Sequence, residues 1–212
     1  MQLETQRLII RPWQPAQDAR DAMDIYSDLR VMAWLEGESP VSSIRQVQGR
    51  LQQCLNQEKR DRTGYGSGHG SGSWAVEQTD IGRVIGQVGL RSLPDIQGSG
   101  VESAANVANL ELEGADDEGL SADYIEMSWH FRPASWGYGY ATEAAFGLAH
   151  YAFEVLRLPL LIAICDPENE RAIALMNRLG MTDDGFTTRC FGGKALRLYR
   201  LEAIGQGAVG ID

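Results

Sequence analysis

The sequence predicts a mixed α/β domain, in which helices flank one sheet of mixed strand direction. Three observations carry that prediction. Residues 124–165 run strand, alanine-rich helix, apolar strand, and strands joined through a helix lie parallel. Residues 73–93 run strand, short turn, strand, which is an antiparallel hairpin. The chain has 212 residues and is 43% apolar, enough for one sizeable core and too short for two comfortable domains. The expected domain spans 1–203, with flexible insertions at about 61–73 and 94–119 and a frayed, glycine-rich tail at 204–212.

Each element follows from its local pattern. LETQRLIIRPW (3–13) mixes β-branched and charged residues in partial alternation and reads as the first strand. Pro15 opens a helix through about Tyr26. After Pro40, Val41, Ile44, Val47, Leu51 and Leu55 recur at spacings of three and four, the pattern of a helix packed by one face. TGYGSGHGSGS (63–73) carries glycine at every second position from Gly64 to Gly72. A strand and not a helix follows it, so it reads as a connector rather than a phosphate loop, and His69 inside it takes no role.

SWAVEQT (73–79) and RVIGQVGLRSL (83–93) are strands joined by a turn containing Asp80 and Gly82. Residues 94–119 form a second polar insertion ending in the acidic EGADDEG; VANLELE within it can extend a strand. YIEMSWHFRP (124–133) is the fourth strand, ATEAAFGLAHYAFEVL (141–156) a helix, and LPLLIAIC (158–165) a fully buried fifth strand. Asp166 and Pro167 start the helix ENERAIALMNRLG, with Ala172, Leu175, Met176 and Leu179 on one face and Gly180 as a left-handed stop. FTTRCF and ALRLYRL close the sheet.

Composition excludes several classes of function. A net charge of -10 disfavours a nucleic-acid backbone, which needs Lys/Arg-rich surfaces. The same charge serves solubility or the attraction of a cationic amine. No stretch approaches the roughly 20 apolar residues of a membrane span. No basic head followed by an apolar stretch opens the chain, so no secretory signal is expected. Cys54, Cys165 and Cys190 are far apart, no pair has metal-ligand spacing, and the 3 His complete no site, so no metal is expected. Reduced thiols place the chain in a cytoplasm.

The junction RPASWGYGYATEA (132–144) is the chemically informative stretch. A strand leads into a Gly137-Tyr138-Gly139 turn, and a helix follows. Glycine lets the backbone take positive φ and approach a ligand closely. The first helical N–H groups lack internal partners, and the helix dipole favours negative charge there. A pyrophosphate would fit against the amides from Gly137 to Thr142, although the spacing alone is equally that of a plain tight turn. A P-loop needs Gly-Lys-Ser/Thr, which is missing, and Thr142 stands where a dinucleotide fingerprint has its third glycine.

ASWGYGYATEA resembles the acetyl-CoA loop of the GNAT acetyltransferase superfamily, Gln/Arg-x-x-Gly-x-Gly/Ala. Gly139 and Ala141 fit its small positions, and Trp136 stands where the family often has Gln or Arg. The form WGxGYATEA, the opening LETQRLIIRPWQPAQDA and the element DPENERAIALMNRLGM are similar to the ribosomal-protein N-terminal acetyltransferase branch. The resemblance covers residues 3–201 apart from the two insertions. It implies a strongly bent mixed sheet with a V-shaped opening between the fourth and fifth strands, where acetyl-CoA enters as co-substrate. Pantetheine amides would pair with backbone near Phe131 and Arg132. The pyrophosphate would lie along Trp136, Gly137, Tyr138, Gly139, Tyr140, Ala141 and Thr142. Asn169 would contact the pantetheine arm, and it also reads as a helix cap.

The implied activity is N-acetyl transfer to a primary amine, a protein N-terminus or a small amine, by direct attack in a ternary complex. The protein would act as a monomer or homodimer. Glu126, Ser128 and His130 share one face of the fourth strand. Glu126 matches a glutamate that some relatives use as base, and it also reads as a carboxylate pairing with a core Arg or Lys. His130 is the second candidate base, since histidine ordinarily titrates near working pH; it also reads as a structural histidine. The general acid of many relatives is replaced by Met176, and the serine of the closer branch by Ala172. An unassisted thiolate, a water, or the hydroxyl of Tyr138 or Tyr140 would have to serve. A non-catalytic acyl-CoA-binding module is the alternative that these two replacements suggest.

Overall fold

The structure is a computed structural model, which describes residues 1–35, 37–62, 72–92, 125–188 and 193–203. The stretches 63–71 and 93–124, Cys190 and the tail from 204 lie outside the described residues, and most of both expected insertions, VANLELE and the tail fall there; the ends of the first insertion do not, since residues 61–62 finish a helix and Gly72 and Ser73 open a strand.

Eight strands form one sheet in the order β1-β2-β3-β4-β5-β6-β8-β7. They are β1 (Leu3–Glu4), β2 (Leu8–Arg11), β3 (Gly72–Gln78), β4 (Arg83–Ser92), β5 (Ile125–Phe131), β6 (Leu160–Cys165), β7 (Thr182–Thr187) and β8 (Leu196–Glu202). The helices are α1 (Pro15–Tyr26), α2 (Leu29–Met32), α3 (Ile44–Arg62), α4 (Tyr140–Glu154) and α5 (Glu170–Arg178). Neighbouring strands are antiparallel except β5 and β6, the parallel pair joined through α4.

The predicted first strand is two strands folded on each other. Thr5 N–H donates to the Leu8 carbonyl at 2.9 Å, and Leu8 N–H donates to Thr5 Oγ1 at 3.1 Å. That closes a turn at Gln6–Arg7, so the predicted fourth and fifth strands are β5 and β6. The third helix starts at Ile44 rather than Val41, because Val41 N–H is committed to the Tyr26 carbonyl at 2.9 Å. The strand predicted at FTTRCF begins earlier, at Thr182. Gly180, at φ 76°, ends α5 as expected.

Both sheet faces are covered. One packs Trp74, Val76, Val88, Leu90 and Met127 beneath Ala145, Leu148 and Ala152 of α4. The other packs Ala75 and Val84 beneath Ala22 and Ile25 of α1 and Val47 and Leu51 of α3. Among the described residues no helix is long and apolar enough to cross a membrane. Cys54 and Cys165 are free thiols, and burial pushes both up, Cys165 to about 11.

Candidate active site

The site begins where two strands part. β5 and β6 share one registered pair, Glu126 opposite Ile162, and no further pairing follows it. Arg132 N–H donates to the Ile85 carbonyl at 3.0 Å, which makes Phe131 and its partner Gly86 a non-hydrogen-bonded pair of the β4–β5 ladder. The peptide groups of Phe131, and by alternation those of Trp129, therefore face the side where β6 has left. Gly86 allows this arrangement: a Cβ there would lie 2.4 Å from the Phe131 ring. The Phe131 carbonyl already accepts Trp136 Nε1–H at 2.8 Å, and the Arg132 amide is spent on β4. The open backbone donors on this edge are therefore those of Trp129 and Phe131.

The glycine turn closes one end of the opening. Gly137 and Gly139 take φ values of 84° and 80°, left-handed conformations that favour glycine. α4 starts at Tyr140 with no side chain capping it, which leaves first-turn N–H groups without helical partners. Arg178 Nη1 reaches Thr142 Oγ1 at 3.5 Å. Across from the turn, Asn169 caps α5, its Oδ1 accepting Ala172 N–H at 3.1 Å. The Trp136 ring lies under the Arg171 guanidinium at 4.4 Å, with Arg30 farther off at 5.9 Å.

A polar wall faces α1 and α3. Directly opposed residues on antiparallel strands share a face. Gln87, Gly89 and Arg91 thus sit beside His130, Ser128 and Glu126 respectively. Arg91 Nε donates to Glu126 Oε2 at 2.6 Å. Glu126 is only 3% exposed. The Tyr26 hydroxyl donates to Gln87 Oε1, and the Arg50 guanidinium stacks 4.0 Å above the Tyr26 ring while pairing with Glu38. Burial pushes the Tyr26 hydroxyl well above the usual phenol range.

His130 does not titrate near neutrality as its residue type suggests. Burial first, then the positive charges of Arg50 and Arg91, push it down to about 3. Its Nδ1 is sealed from solvent and has no hydrogen-bond partner among the described residues. The ring is a neutral imidazole at working pH.

The glycine turn, the start of α5 and the polar face from Gln87 to Arg91 and Glu126 to His130 line one cleft of about 1150 Å³, with Tyr26 behind it. A family model described as an acetyltransferase (GNAT) domain matches residues 7–182. The chain belongs to the GNAT acetyltransferase family. The uncharacterized N-acetyltransferase YnaD of Bacillus subtilis is 38% identical over 65 residues, which cover 31% of this chain and 38% of YnaD. A GNAT-family acetyltransferase structure from Bacillus anthracis superposes with a TM-score of 0.68 at 19% identity, covering 95% of this chain and 98% of that one. The ribosomal-protein-S5-alanine acetyltransferase of Vibrio fischeri gives 0.65 at 13% identity, covering 95% and 96%. At those identities the likeness is one of fold.

On this GNAT scaffold, the catalytic and cofactor-binding candidates named from sequence line the cleft except Arg132 and Tyr138, and Met176 does not line it either. Arg132 points its guanidinium toward Asp24, 3.8 Å away, and Tyr138 is 64% exposed. Ala172 and Met176 are both buried. The Tyr140 hydroxyl accepts Gln78 Nε2–H at 2.9 Å, so it is already engaged on β3. Sequence reasoning missed Arg91, Gln87, Arg50 and Tyr26. The alternation Gln87, Gly89, Arg91 marked one face of β4, but the insertion at 93–124 hid which face of β5 it meets.

Proposed function

We propose that the protein is an acetyl-CoA-dependent N-acetyltransferase of the ribosomal-protein N-terminal acetyltransferase type. It would move an acetyl group to a primary amine, a protein N-terminal α-amine or a small amine, by direct attack in a ternary complex. One observation carries this reading: the cleft joins an uncapped, left-handed Gly137–Gly139 turn to the parting of β5 and β6, with a carboxylate at the last shared register. The turn suits a pyrophosphate, because N–H groups and helix dipole converge on it.

Acetyl-CoA supplies the activated acyl group as co-substrate. The chain supplies four things. Gly137 to Thr142 hold the phosphates, with Trp136 as an adjoining wall. Asn169, whose Oδ1 is committed to the cap, offers its Nδ2 donors to the pantetheine arm. N–H groups on the free β5 edge stabilise the oxygen that gains charge as the amine attacks. Glu126 takes the amine proton, directly or through a water.

His130 is a poor base at its lowered pKa and serves better as a neutral hydrogen-bonding group beside the acceptor. Met176 and Ala172 have no proton to give, so the thiolate leaves unassisted or takes one from water. A thiol near pKa 8.5 makes that feasible, because its anion is far less basic than the attacking amine.

Thermal-shift titration with acetyl-CoA tests the donor half; saturation at about 100 times Kd stabilises the native state by about 2.7 kcal/mol. A free-thiol release screen against peptide N-termini, polyamines and aminoglycosides tests the acceptor half. Absence of both a thermal shift and thiol release ends the proposal. A second reading, a non-catalytic acyl-CoA-binding module, draws on the commitment of Glu126 to Arg91 and on buried Ala172 and Met176. It predicts a thermal shift without thiol release for any amine.

A further inference from the structure

The N-terminal hairpin is tied to the glycine turn through Arg7. Its Nη1 donates to the Tyr138 carbonyl at 3.1 Å, and its Nε donates to Glu143 Oε2 at 2.7 Å. Its backbone N–H donates to Glu143 Oε1 at 2.8 Å, and Thr5 Oγ1 donates to that same oxygen at 2.6 Å. The guanidinium also lies 4.6 Å from the centre of the Tyr140 ring. Arg7 is therefore held from its backbone, from Glu143 and from an aromatic face while it grips one carbonyl of the turn.

That carbonyl matters because of peptide geometry. The chain has no cis peptide bonds among the described residues, so the C=O of Tyr138 and the N–H of Gly139 point in opposite directions. Arg7 does not line the cleft, whereas Gly137, Gly139 and Tyr140 do. A carbonyl drawn toward Arg7 turns the Gly139 N–H the other way, toward the cleft.

A turn with glycine on both sides of one residue has no side chain to enforce this choice, since glycine crosses between φ signs at little cost. The peptide between Tyr138 and Gly139 turns about the freely rotating φ of Gly139, and among the described residues Arg7 holds its carbonyl.

Glu143 fits the same account. A carboxylate in the first turn of α4 would repel a phosphate bound at that helix end. Here both of its oxygens are taken by Arg7 and Thr5, so it anchors the clamp.

We infer that Arg7 is a positioning residue of the donor site: it fixes the Tyr138–Gly139 peptide so that the Gly139 N–H faces the bound phosphates. The inference rests on the acetyl-CoA reading of the cleft, and its test separates the two. On the full chain, Arg7→Met keeps the stem and removes the donors, and Arg7→Lys keeps the charge with a single-point donor. The readouts are the Gly137 and Gly139 amide resonances without ligand, the calorimetric Kd of CoA, and KM against kcat for acetyl-CoA.

Arg7→Met is expected to shift or broaden the Gly139 amide and to weaken CoA about tenfold, the scale of one charge-assisted hydrogen bond, in KM rather than kcat. Arg7→Lys recovers part of that loss. A Gly139 amide and a CoA Kd both at wild-type values in Arg7→Met overturn the inference, whatever the melting temperature does. If Arg7→Met does not fold, Arg7→Lys decides by the same two readouts. If wild-type protein binds no CoA, the acetyltransferase reading fails, and the Gly139 amide alone still decides for or against the clamp.

Discussion

Arg91 and Glu126 stand directly opposite each other across β4 and β5, with Nε and Oε2 2.6 Å apart. The carboxylate is buried, and the guanidinium is about a third open to solvent. Glu126 thus has the arginine partner that one reading from sequence expects, although that arginine is partly exposed rather than in the core, and it lies at the register where the sheet opens. Glu126→Gln keeps the shape and removes the proton acceptor. It should lower kcat by roughly 10²-fold or more, the usual worth of a general base, while leaving the acetyl-CoA Kd near wild type. Single-turnover kinetics with calorimetry check this; an unchanged kcat sinks the assignment. Arg91→Met takes this partner from a buried charge and should cost roughly 2 kcal/mol, below the ~3–5 kcal/mol of a fully buried pair because Arg91 is partly hydrated. Urea denaturation measures it.

Asn169 caps α5, and the proposed function gives it a second, separable job on the pantetheine arm. Its Oδ1 accepts Ala172 N–H at 3.1 Å, and the residue lines the cleft. Serine retains the cap and loses the Nδ2 donors, whereas alanine loses both. Asn169→Ala should destabilise by about 1 kcal/mol, and Asn169→Ser by much less. Both should raise the KM for acetyl-CoA by a similar several-fold factor. If serine restores KM along with stability, the residue acts on the cofactor through the cap alone.

Much of this site was legible because its signals are local. The Gly137–Gly139 turn, the Asn169 cap and the shared face of Glu126 and His130 depend on a few neighbouring residues and on strand alternation. What stayed hidden depends on register or tertiary packing. Arg91 meets Glu126 only once β4 and β5 are aligned, and 32 residues outside the described structure separate Ser92 from Ile125. The Tyr26–Arg50 stack needs α3 laid across α1. The fold-back at Thr5 was missed because a side-chain hydroxyl makes the turn, with neither Gly nor Pro to mark it.

Gly139→Ala tests the turn without altering charge. At φ 80° an alanine is strained, by about 1–2 kcal/mol. A Cβ at this position would meet Arg7 Nη2 at 3.6 Å, an ordinary contact, so the effect is one of backbone and not of collision. The variant should lose about that much stability and bind CoA at least tenfold more weakly. A CoA affinity equal to wild type would mean that the turn does not hold the phosphates.

His130 makes stability depend on pH in a definite direction. Its folded pKa is pushed down to about 3 from an ordinary 6.5, by burial and then by Arg50 and Arg91. Between those values the unfolded chain binds a proton that the native state refuses. Stability therefore rises with pH across that window, is fully present above about 6.5, and is lost as pH falls toward 3. The groups around the ring set this behaviour. Arg50 and Arg91 oppose its charging, Tyr26 packs edge-on with centroids 6.4 Å apart, and Glu126 is already engaged by Arg91. Each pH unit inside the window costs up to about 1.4 kcal/mol from this one residue. Glu143 and Asp166, held below their ordinary range, add losses only at lower pH, as it falls through their folded values. His130→Gln removes the imidazole proton. Urea midpoints at about pH 7.5 and about pH 5 should converge for that variant relative to wild type, because the protonation difference that steepens the wild-type curve is gone. Parallel losses in the two proteins would falsify a neutral His130, and with it the hydrogen-bonding role given to that ring.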